Sequence, residues 1–190
     1  IGVVCGLIGT MFHFGVHEVT AFRGTHPWVL YLLPLAGFVI VSFYKLTETD
    51  GLGTDDIIDA VHAGKRLPIL LLPAIFFGTV LTHLCGGSAG REGAALQLGG
   101  AISGNIGHLM HLDDKDSRTI TMCGMAACFA ALFGTPLAAS VFAMEVISVG
   151  VMYYAALFPS ILASVIAHQV AARPRLRSPV CREIRMCCLL

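Results

Sequence analysis

The chain has 190 residues, of which 56% are hydrophobic and 13% are charged, and its mean hydropathy is +0.79. Soluble globular domains carry about 25% charged residues, so this composition indicates a membrane protein rather than a soluble domain. Twelve basic residues balance twelve acidic ones, and the net charge therefore gives no reason to expect a nucleic acid or an acidic partner.

Six apolar stretches have the character of membrane spans. They run from Ile1 to Val16, Trp28 to Leu46, Leu67 to Cys85, Ala94 to Leu112, Ile120 to Val149 and Val151 to Ala171. Prolines and glycines interrupt several of them, which is tolerated in a membrane only where protein or a cavity covers the freed backbone. The fifth stretch is too long for one crossing, and Gly134-Thr135-Pro136 divides it into two predicted short helices. The sequence therefore predicts an all-α, polytopic membrane fold with broken helices, as in transporters.

Small residues recur at a spacing of four in Gly2-xxx-Gly6 and Gly100-xxx-Gly104. This spacing suits close packing of helices in a membrane. Chance in a glycine-rich chain explains it equally well.

Three polar segments connect the apolar stretches: Glu18 to Pro27, Thr47 to Arg66 and Asp113 to Arg118. In the second segment, Thr54 stands where it would cap a helix, and Asp55 and Asp56 follow in the first turn. We interpret these aspartates as capping residues rather than as transport residues.

A glycine-dense segment between two apolar stretches, Gly86 to Ala94, carries Arg91 and Glu92. A charge at the centre of a bilayer costs roughly 2.5 to 3.5 kcal/mol on insertion scales, so these ionised groups predict a functional site. Glycine lets a ligand approach the backbone closely, and a helix that begins after the turn directs its positive dipole end towards that ligand. The pattern predicts an anion-binding site.

The last part of the chain, residues 172–190, carries Arg173, Arg175, Arg177, Arg182 and Arg185. We separate this basic tail from a transmembrane unit of residues 1–171. The positive-inside rule would place such a tail in the cytoplasm. A truncated gene or a frameshift explains it equally well.

The segment Gly-Gly-Ser-Ala-Gly-Arg-Glu-Gly, from Gly86 to Gly93, resembles the signature loop of the CLC family of voltage-gated chloride channels and proton-coupled anion exchangers. The segment from Ala126 to Ala138 is similar to the alanine-rich helix pair of this family, and Phe142 to Glu145 is similar to its continuation. Gly51-Leu52-Gly53 stands where the family has its first anion-binding loop. The resemblance covers roughly Ile1 to Ala171 and implies the N-terminal half of an inverted-repeat CLC-type fold.

The resemblance implies a central anion site that is approached by the N-termini of helices from two inverted halves. Glu92 would be the protonatable gate, because the protonated side chain no longer competes with an anion for the positive helix end. The implied anion-binding residues are Gly90, Arg91, Gly93, Ala94, Leu52 and Gly53.

The resemblance also implies a function and partners. The expected function is transport of chloride or another small anion across the cell membrane, by a channel or by an antiporter that also moves protons. The protein is expected to be a multi-pass membrane protein in contact with lipid and to form a homodimer when full length. No enzymatic activity, cofactor, metal ion or nucleic acid is expected.

Several positions depart from the family pattern. Ala94 stands where the family usually has proline, and Leu52 replaces a serine whose hydroxyl coordinates the anion. Glu145 matches the first of two paired glutamates and is a candidate relay, whereas Val146 replaces the second, which transfers protons in many exchangers. A channel, a different proton path and the fluoride/proton antiporters of the same family therefore stay open. Family subunits are over twice as long, so this chain is expected to form only part of a pore.

Two alternatives to transport come from other classes of protein. One is a truncated remnant that does not transport, which the missing second half and the arginine tail support. The other is an intramembrane enzyme with Glu92 and His83 as acid and base, although no nucleophile accompanies them. His13-xxx-His17 places two imidazoles on one helix face, but the absence of an HExxH pattern favours packing over zinc binding.

Overall fold

The computed structural model describes residues 1–49, 53, 58–59, 68–147 and 153–177, with side chains as far as residue 173. Within these ranges the chain forms seven α-helices, one 3-10 helix and a helical fragment at Ile58 and Asp59, and it contains no strand. The α-helices are α1 (Gly2–Thr25), α2 (Leu33–Leu46), α3 (Leu71–Leu84), α4 (Arg91–Leu109), α5 (Asp114–Phe133), α6 (Pro136–Ile147) and α7 (Tyr154–Arg177), and the 3-10 helix Pro27–Leu32 leads into α2. The predicted all-α class is confirmed for the described residues.

Helix α5 lies at the centre of these helices. It packs against α1, α4, α6 and α7, and it is buried over most of its length between Thr121 and Leu132. Many of its buried side chains are small: Ala126, Ala127, Cys128, Ala130 and Ala131 are fully covered. Small side chains let neighbouring backbones approach closely, and this is how helices associate in lipid, where no hydrophobic force draws them together.

The pair Gly2 and Gly6 forms the close contact that its spacing predicts. A Cβ atom at Gly2 would lie 2.7 Å from the carbonyl oxygen of Ala163, and one at Gly6 would lie 2.9 Å from Cα of Ala167, both on α7. On α4 the closest crossing involves Gly99, which meets Gly124 of α5, whereas a Cβ at Gly104 would have only an ordinary 3.7 Å contact with Thr121 Oγ1. Close helix packing is therefore confirmed for Gly2 and Gly6.

The predicted division of the fifth apolar stretch is present. Helix α5 ends at Gly134, whose left-handed conformation (φ 78°, ψ 18°) lets its N–H bond the carbonyl of Ala130 at 2.8 Å, and Pro136 begins α6. The prediction of two short helices is wrong for the first, because α5 has 20 residues and begins at Asp114. Asp114 and Asp116 lie in its first turn, where carboxylates stabilise the positive helix end. Most of the predicted polar connection before Ile120 is therefore helical.

Helix α1 also extends further than its apolar pattern predicted. The segment from Glu18 to Thr25 continues the helix, so the predicted connection there is wrong. Thr20 remains compatible with a helix because its hydroxyl donates to the carbonyl of Val16 at 2.7 Å. The helix ends when His26 takes a non-helical conformation (φ −128°, ψ 74°), which the following Pro27 favours.

In the described part of the chain, three segments are long and apolar enough to cross a membrane: Gly2–Thr25, Pro27–Leu46 and Tyr154–Arg173. Helices α3 and α6 are apolar but have only 14 and 12 residues. Such helices are about 21 and 18 Å long, against a hydrocarbon core of about 30 Å. Helix α3, whose two ends are both described, is too short to span a bilayer, and this confirms the prediction of broken helices.

Candidate functional site

The segment Gly86–Gly90, here called the glycine loop, begins where α3 ends. The N–H of Gly87 donates to the carbonyl of Thr82 at 2.9 Å, and the N–H of Gly86 donates to the carbonyl of His83 at 3.2 Å. These are the two hydrogen bonds of a Schellman motif. Gly86 has a φ of +82°, and a Cβ atom there would meet Cδ1 of Leu30. The conformation therefore favours glycine, whereas the end of the Leu30 side chain could rotate to make room for a Cβ atom.

The glycine loop ends at the start of α4. Gly90 is the N-cap residue in an extended conformation (φ −67°, ψ 142°), and no side chain caps the helix. A Cβ atom at Gly90 would meet no described atom within 4 Å, and Ser88, Ala89 and Gly90 are exposed. The first N–H groups of a helix together carry roughly half a positive charge. This end of α4 is therefore open and positive, which suits an anion.

The two charged residues of the segment lie in the first turn of α4. Glu92 is exposed and Arg91 is half-buried, and among the described residues neither side chain forms a hydrogen bond or an ion pair. Gly93 and the buried Ala94 then carry the helix into the bundle. A carboxylate in this turn is stabilised by the helix dipole. The positive end of α4 can therefore interact either with the Glu92 carboxylate or with a dissolved anion.

Arg23, at the end of α1, contacts the end of α3 across a sequence separation of 60 residues and lies beside the first residue of the glycine loop. Its Nη1 donates a hydrogen bond to the carbonyl of His83 at 3.2 Å, and its Cδ lies 3.6 Å from the Cβ position of Gly86. Sequence reasoning missed this residue. No spacing links it to the loop, and the contact exists only because α1 packs against α3.

His83 does not form an acid and base pair with Glu92. Its Nδ1 lies 2.8 Å from the carbonyl oxygen of Thr79, so this ring nitrogen is engaged within α3. Among the described residues no hydrogen bond joins His83 to Glu92. The geometry therefore gives no support to the enzyme alternative.

The predicted first anion-binding loop falls almost wholly outside the described residues. Leu52 lies outside them, as do Thr54, Asp55 and Asp56, and Gly53 is described as half-buried. The assignments of Leu52 and Gly53 to an anion site therefore stay predictions.

The predicted relay residue Glu145 lies on a different helix from Glu92. It is exposed near the end of α6, and α6 packs mainly against α5 and α7. The neighbouring Val146 is half-buried against the main core, and its side chain cannot bind a proton. The structure thus brings Gly90 to Ala94 together at one helix start and places Glu145 elsewhere.

Two further features lie away from the helix start that carries Glu92. The rings of His13 and His17 lie 6.3 Å apart on α1, but in the described parts of the chain no group of three or more potential metal ligands forms. A groove of about 290 Å³ lies between α2 and α3 and has no charged side chain in its lining, which includes Phe43, Tyr44 and Phe77.

Comparison with known proteins gives consistent matches. The family model described as voltage gated chloride channel matches residues 36–182. The chain is 40% identical over 172 residues to the "Chloride/fluoride channel protein" of Pseudomonas syringae, covering 90% of this chain and 38% of that protein. It is 32% identical over 163 residues to the "H(+)/Cl(-) exchange transporter ClcA" of Cronobacter sakazakii, covering 76% of this chain and 34% of that protein.

A solved structure has a similar fold. The crystal structure of a CLC-type fluoride/proton antiporter superimposes with a TM-score of 0.84 at 36% sequence identity, covering 90% of this chain and 44% of that one. The chain therefore spans less than half the length of each of these three proteins.

Proposed function

Because this chain belongs to the voltage-gated chloride channel (CLC) family, we propose that it forms one wall of an anion pathway through the membrane, with Glu92 as the protonatable gate. The match to the family model and to the relative from Pseudomonas syringae confirms the predicted family. The similarity to the structure of a CLC-type antiporter confirms the predicted fold. The chain is an integral membrane protein, as its composition predicted, and the named relatives are channels and exchange transporters.

One observation carries the proposal: the start of α4 is positive, open and uncapped, and Glu92 lies in its first turn without a partner among the described residues. A small anion that reaches Gly90 would bind the first N–H groups of the helix. The ionised Glu92 competes for the same positive end. Protonation removes that charge, so the anion then binds without competition.

Arg91, Gly93 and Ala94 support this site in different ways. Arg91 is permanently charged and half-buried, so it raises the local concentration of anions but cannot act as a proton-dependent gate. Gly93 and Ala94 contribute backbone N–H groups to the helix start. Ala94 in place of the usual proline retains an N–H that proline lacks.

The transported anion is either chloride or fluoride. Two relatives favour fluoride as a second candidate, since one is named as a chloride/fluoride channel and the other as a fluoride/proton antiporter. Leu52 and Val146 agree with that candidate, because the first anion-binding loop and the internal glutamate are where the fluoride branch departs from the family pattern. Efflux from liposomes, followed with chloride-selective and fluoride-selective electrodes, separates the two.

Coupling to protons would need a route that does not use Val146. Glu145 is a candidate relay for such a route. An antiporter is expected to move protons in the direction opposite to the anion flux, whereas a channel is not. Recording proton movement with a pH-sensitive dye in the same liposomes decides between the two mechanisms.

The full protein is also proposed to form a homodimer in the membrane. Exposed apolar side chains follow one side of α7 at a spacing of four, from Tyr154 through Phe158 to Leu162, and such a surface suits contact with lipid or with a second copy. Cross-linking of the protein in liposomes is expected to give a dimer.

The decisive experiment is the Glu92→Gln substitution in the longest form of the protein that the gene encodes, reconstituted in liposomes. The wild type is expected to transport anions at a rate that depends on pH, and Glu92→Gln is expected to lose that dependence because its side chain cannot ionise. Glu18→Gln, which neutralises an exposed glutamate on α1, is the matched control and is expected to behave as the wild type.

Two results would contradict the proposal. Unchanged flux and pH dependence in Glu92→Gln would show that Glu92 is not the gate. A wild-type protein without any anion flux would favour the remnant that does not transport.

A further inference from the structure

Two negative helix ends lie close together beside the glycine loop. Helix α1 ends at Thr25 and α3 ends at Leu84, and the two helices pack against each other. The C-terminus of a helix carries roughly half a negative charge on carbonyls that lack a helical partner. Left alone, both ends would repel an anion that approaches the loop.

Arg23 lies between these two ends. It belongs to the last turn of α1, and its guanidinium donates to the carbonyl of His83 in the last turn of α3 at 3.2 Å. The same carbonyl accepts the Gly86 N–H, one of the two bonds that turn the chain into the glycine loop. One side chain thus serves the ends of both helices and the first residue of the loop.

The charge of Arg23 is not neutralised by an acid in the described parts of the chain, since its only polar contact there is the His83 carbonyl. The side chain is half-buried, so water screens its charge less than on an open surface. Arginine retains its charge at every physiological pH. Its positive charge is therefore available to offset the two helix ends.

We propose that Arg23 is a positioning residue of the anion site: its guanidinium fixes the end of α3, and with it the glycine loop, while its charge offsets the negative ends of α1 and α3. This inference rests on the proposed function of the loop as an anion site. Arg23 does not touch the anion in this scheme and acts through the loop and the local potential.

The test uses the longest encoded protein in liposomes and measures the half-saturating anion concentration together with amide hydrogen exchange across residues 86–93. Arg23→Met, which keeps the apolar stem but loses charge and donors, is expected to raise the half-saturating concentration about tenfold and to speed exchange in the loop. Arg23→Lys retains the charge and is expected to recover much of the affinity. Arg173→Met is the control, because it removes an exposed charge from α7, which among the described residues has no extensive contact with α3 or α4, the helices on either side of the glycine loop.

The outcomes separate this inference from the proposed function. If Arg23→Met only lowers the thermal stability, with unchanged half-saturation and unchanged loop exchange, Arg23 is a packing residue and the inference is overturned. If Arg23→Met fails to fold, Arg23→Gln, which keeps a donor without a charge, takes its place under the same criteria. If the wild type carries no anion flux, the proposed function fails, and loop exchange alone decides whether Arg23 positions the loop.

Discussion

Gly86 has a backbone conformation that an alanine at this position would adopt only at a cost. Its φ of +82° costs other residues roughly 1 to 2 kcal/mol, whereas the end of the Leu30 side chain, which an added Cβ would meet, can rotate away. We expect Gly86→Ala to lower the free energy of unfolding by about 1 to 2 kcal/mol. The midpoint of thermal unfolding in detergent measures the effect.

Gly37→Ala provides the matched control for Gly86→Ala. Gly37 lies within α2, and a Cβ atom there would meet nothing within 4 Å. Alanine is a better helix former by about 1 kcal/mol, so Gly37→Ala is expected to leave stability unchanged or to raise it slightly. Equal unfolding midpoints for the two variants would show that Gly86 is not constrained as described.

Sequence reasoning reached the residues whose chemistry conflicts with their surroundings. Arg91 and Glu92 are visible because charges are costly in an apolar chain, and Gly90 is visible because the glycines around it are dense. Arg23 was not visible, because its importance depends on a contact with a carbonyl 60 residues away. A backbone carbonyl carries no signal in the sequence, so only packing reveals such a partner.

At the scale of the helices, the crossing of α4 and α5 determines how the bundle holds Glu92. Gly99 and Gly124 face each other so closely that a Cβ at Gly124 would lie 2.6 Å from the carbonyl oxygen of Gly99 and would also meet Ser103 Oγ. Ser103 donates to the carbonyl of Gly99 at 2.5 Å, and its hydroxyl lies 3.4 Å from the carbonyl of Thr121 on α5. Since Glu92 is two turns before Gly99 on the same helix, this crossing determines where the start of α4 lies.

Gly124→Ala is expected to separate the two helices. The new Cβ meets backbone atoms of α4, which cannot rotate away, so we expect a loss of about 1 to 3 kcal/mol in stability. Anion flux is expected to fall as well, because α4 carries Glu92. Unfolding in detergent and flux in liposomes measure the two effects.

Gly104→Ala tests the same helix pair without the clash. Its Cβ would have only the 3.7 Å contact with Thr121 Oγ1, so stability and flux are expected to remain at the wild-type level or to improve slightly. If Gly104→Ala were as harmful as Gly124→Ala, loss of glycine flexibility rather than the close crossing would be the cause.

The ends of the helices were harder to predict than their existence. The break at Gly134-Thr135-Pro136 was predictable, because glycine and proline have strong local effects on the backbone. The extension of α1 to Thr25 and the start of α5 at Asp114 were not, because polar residues at helix ends near a membrane surface resemble a loop in hydropathy. Asp114 and Asp116 stabilise the positive end of α5, so these polar residues are part of the helix and not of a loop.

Across the whole molecule, the lengths of the helices predict that the glycine loop lies inside the bilayer. Helix α3 follows a polar connection and has 14 residues, so a helix that starts at the membrane surface would reach about 21 Å into a hydrocarbon core of about 30 Å. The chain then turns through the glycine loop and continues as α4. Non-helical backbone at that depth is stable only where it is buried in protein or lines a cavity that contains water. The exposed loop residues Ser88 to Gly90 favour the second case.

This placement predicts that a cysteine in the loop reacts with water-soluble reagents from within the membrane. We expect Ser88→Cys to be modified by an anionic methanethiosulfonate, and chloride or fluoride to slow the reaction by occupying the positive end of α4. Phe38→Cys is the control, because Phe38 is 72% exposed on the apolar helix α2 and lipid would shield it from the reagent.

The native cysteines leave this experiment interpretable. Cys5, Cys85, Cys123 and Cys128 are buried, and Cys181, Cys187 and Cys188 can be replaced by serine beforehand. If Ser88→Cys reacted no faster than Phe38→Cys, water would not reach the loop. The start of α4, which carries Glu92, would then be closed to a hydrated anion. In that case Glu92 could not act as the gate, and Arg23 could not position a site for the anion.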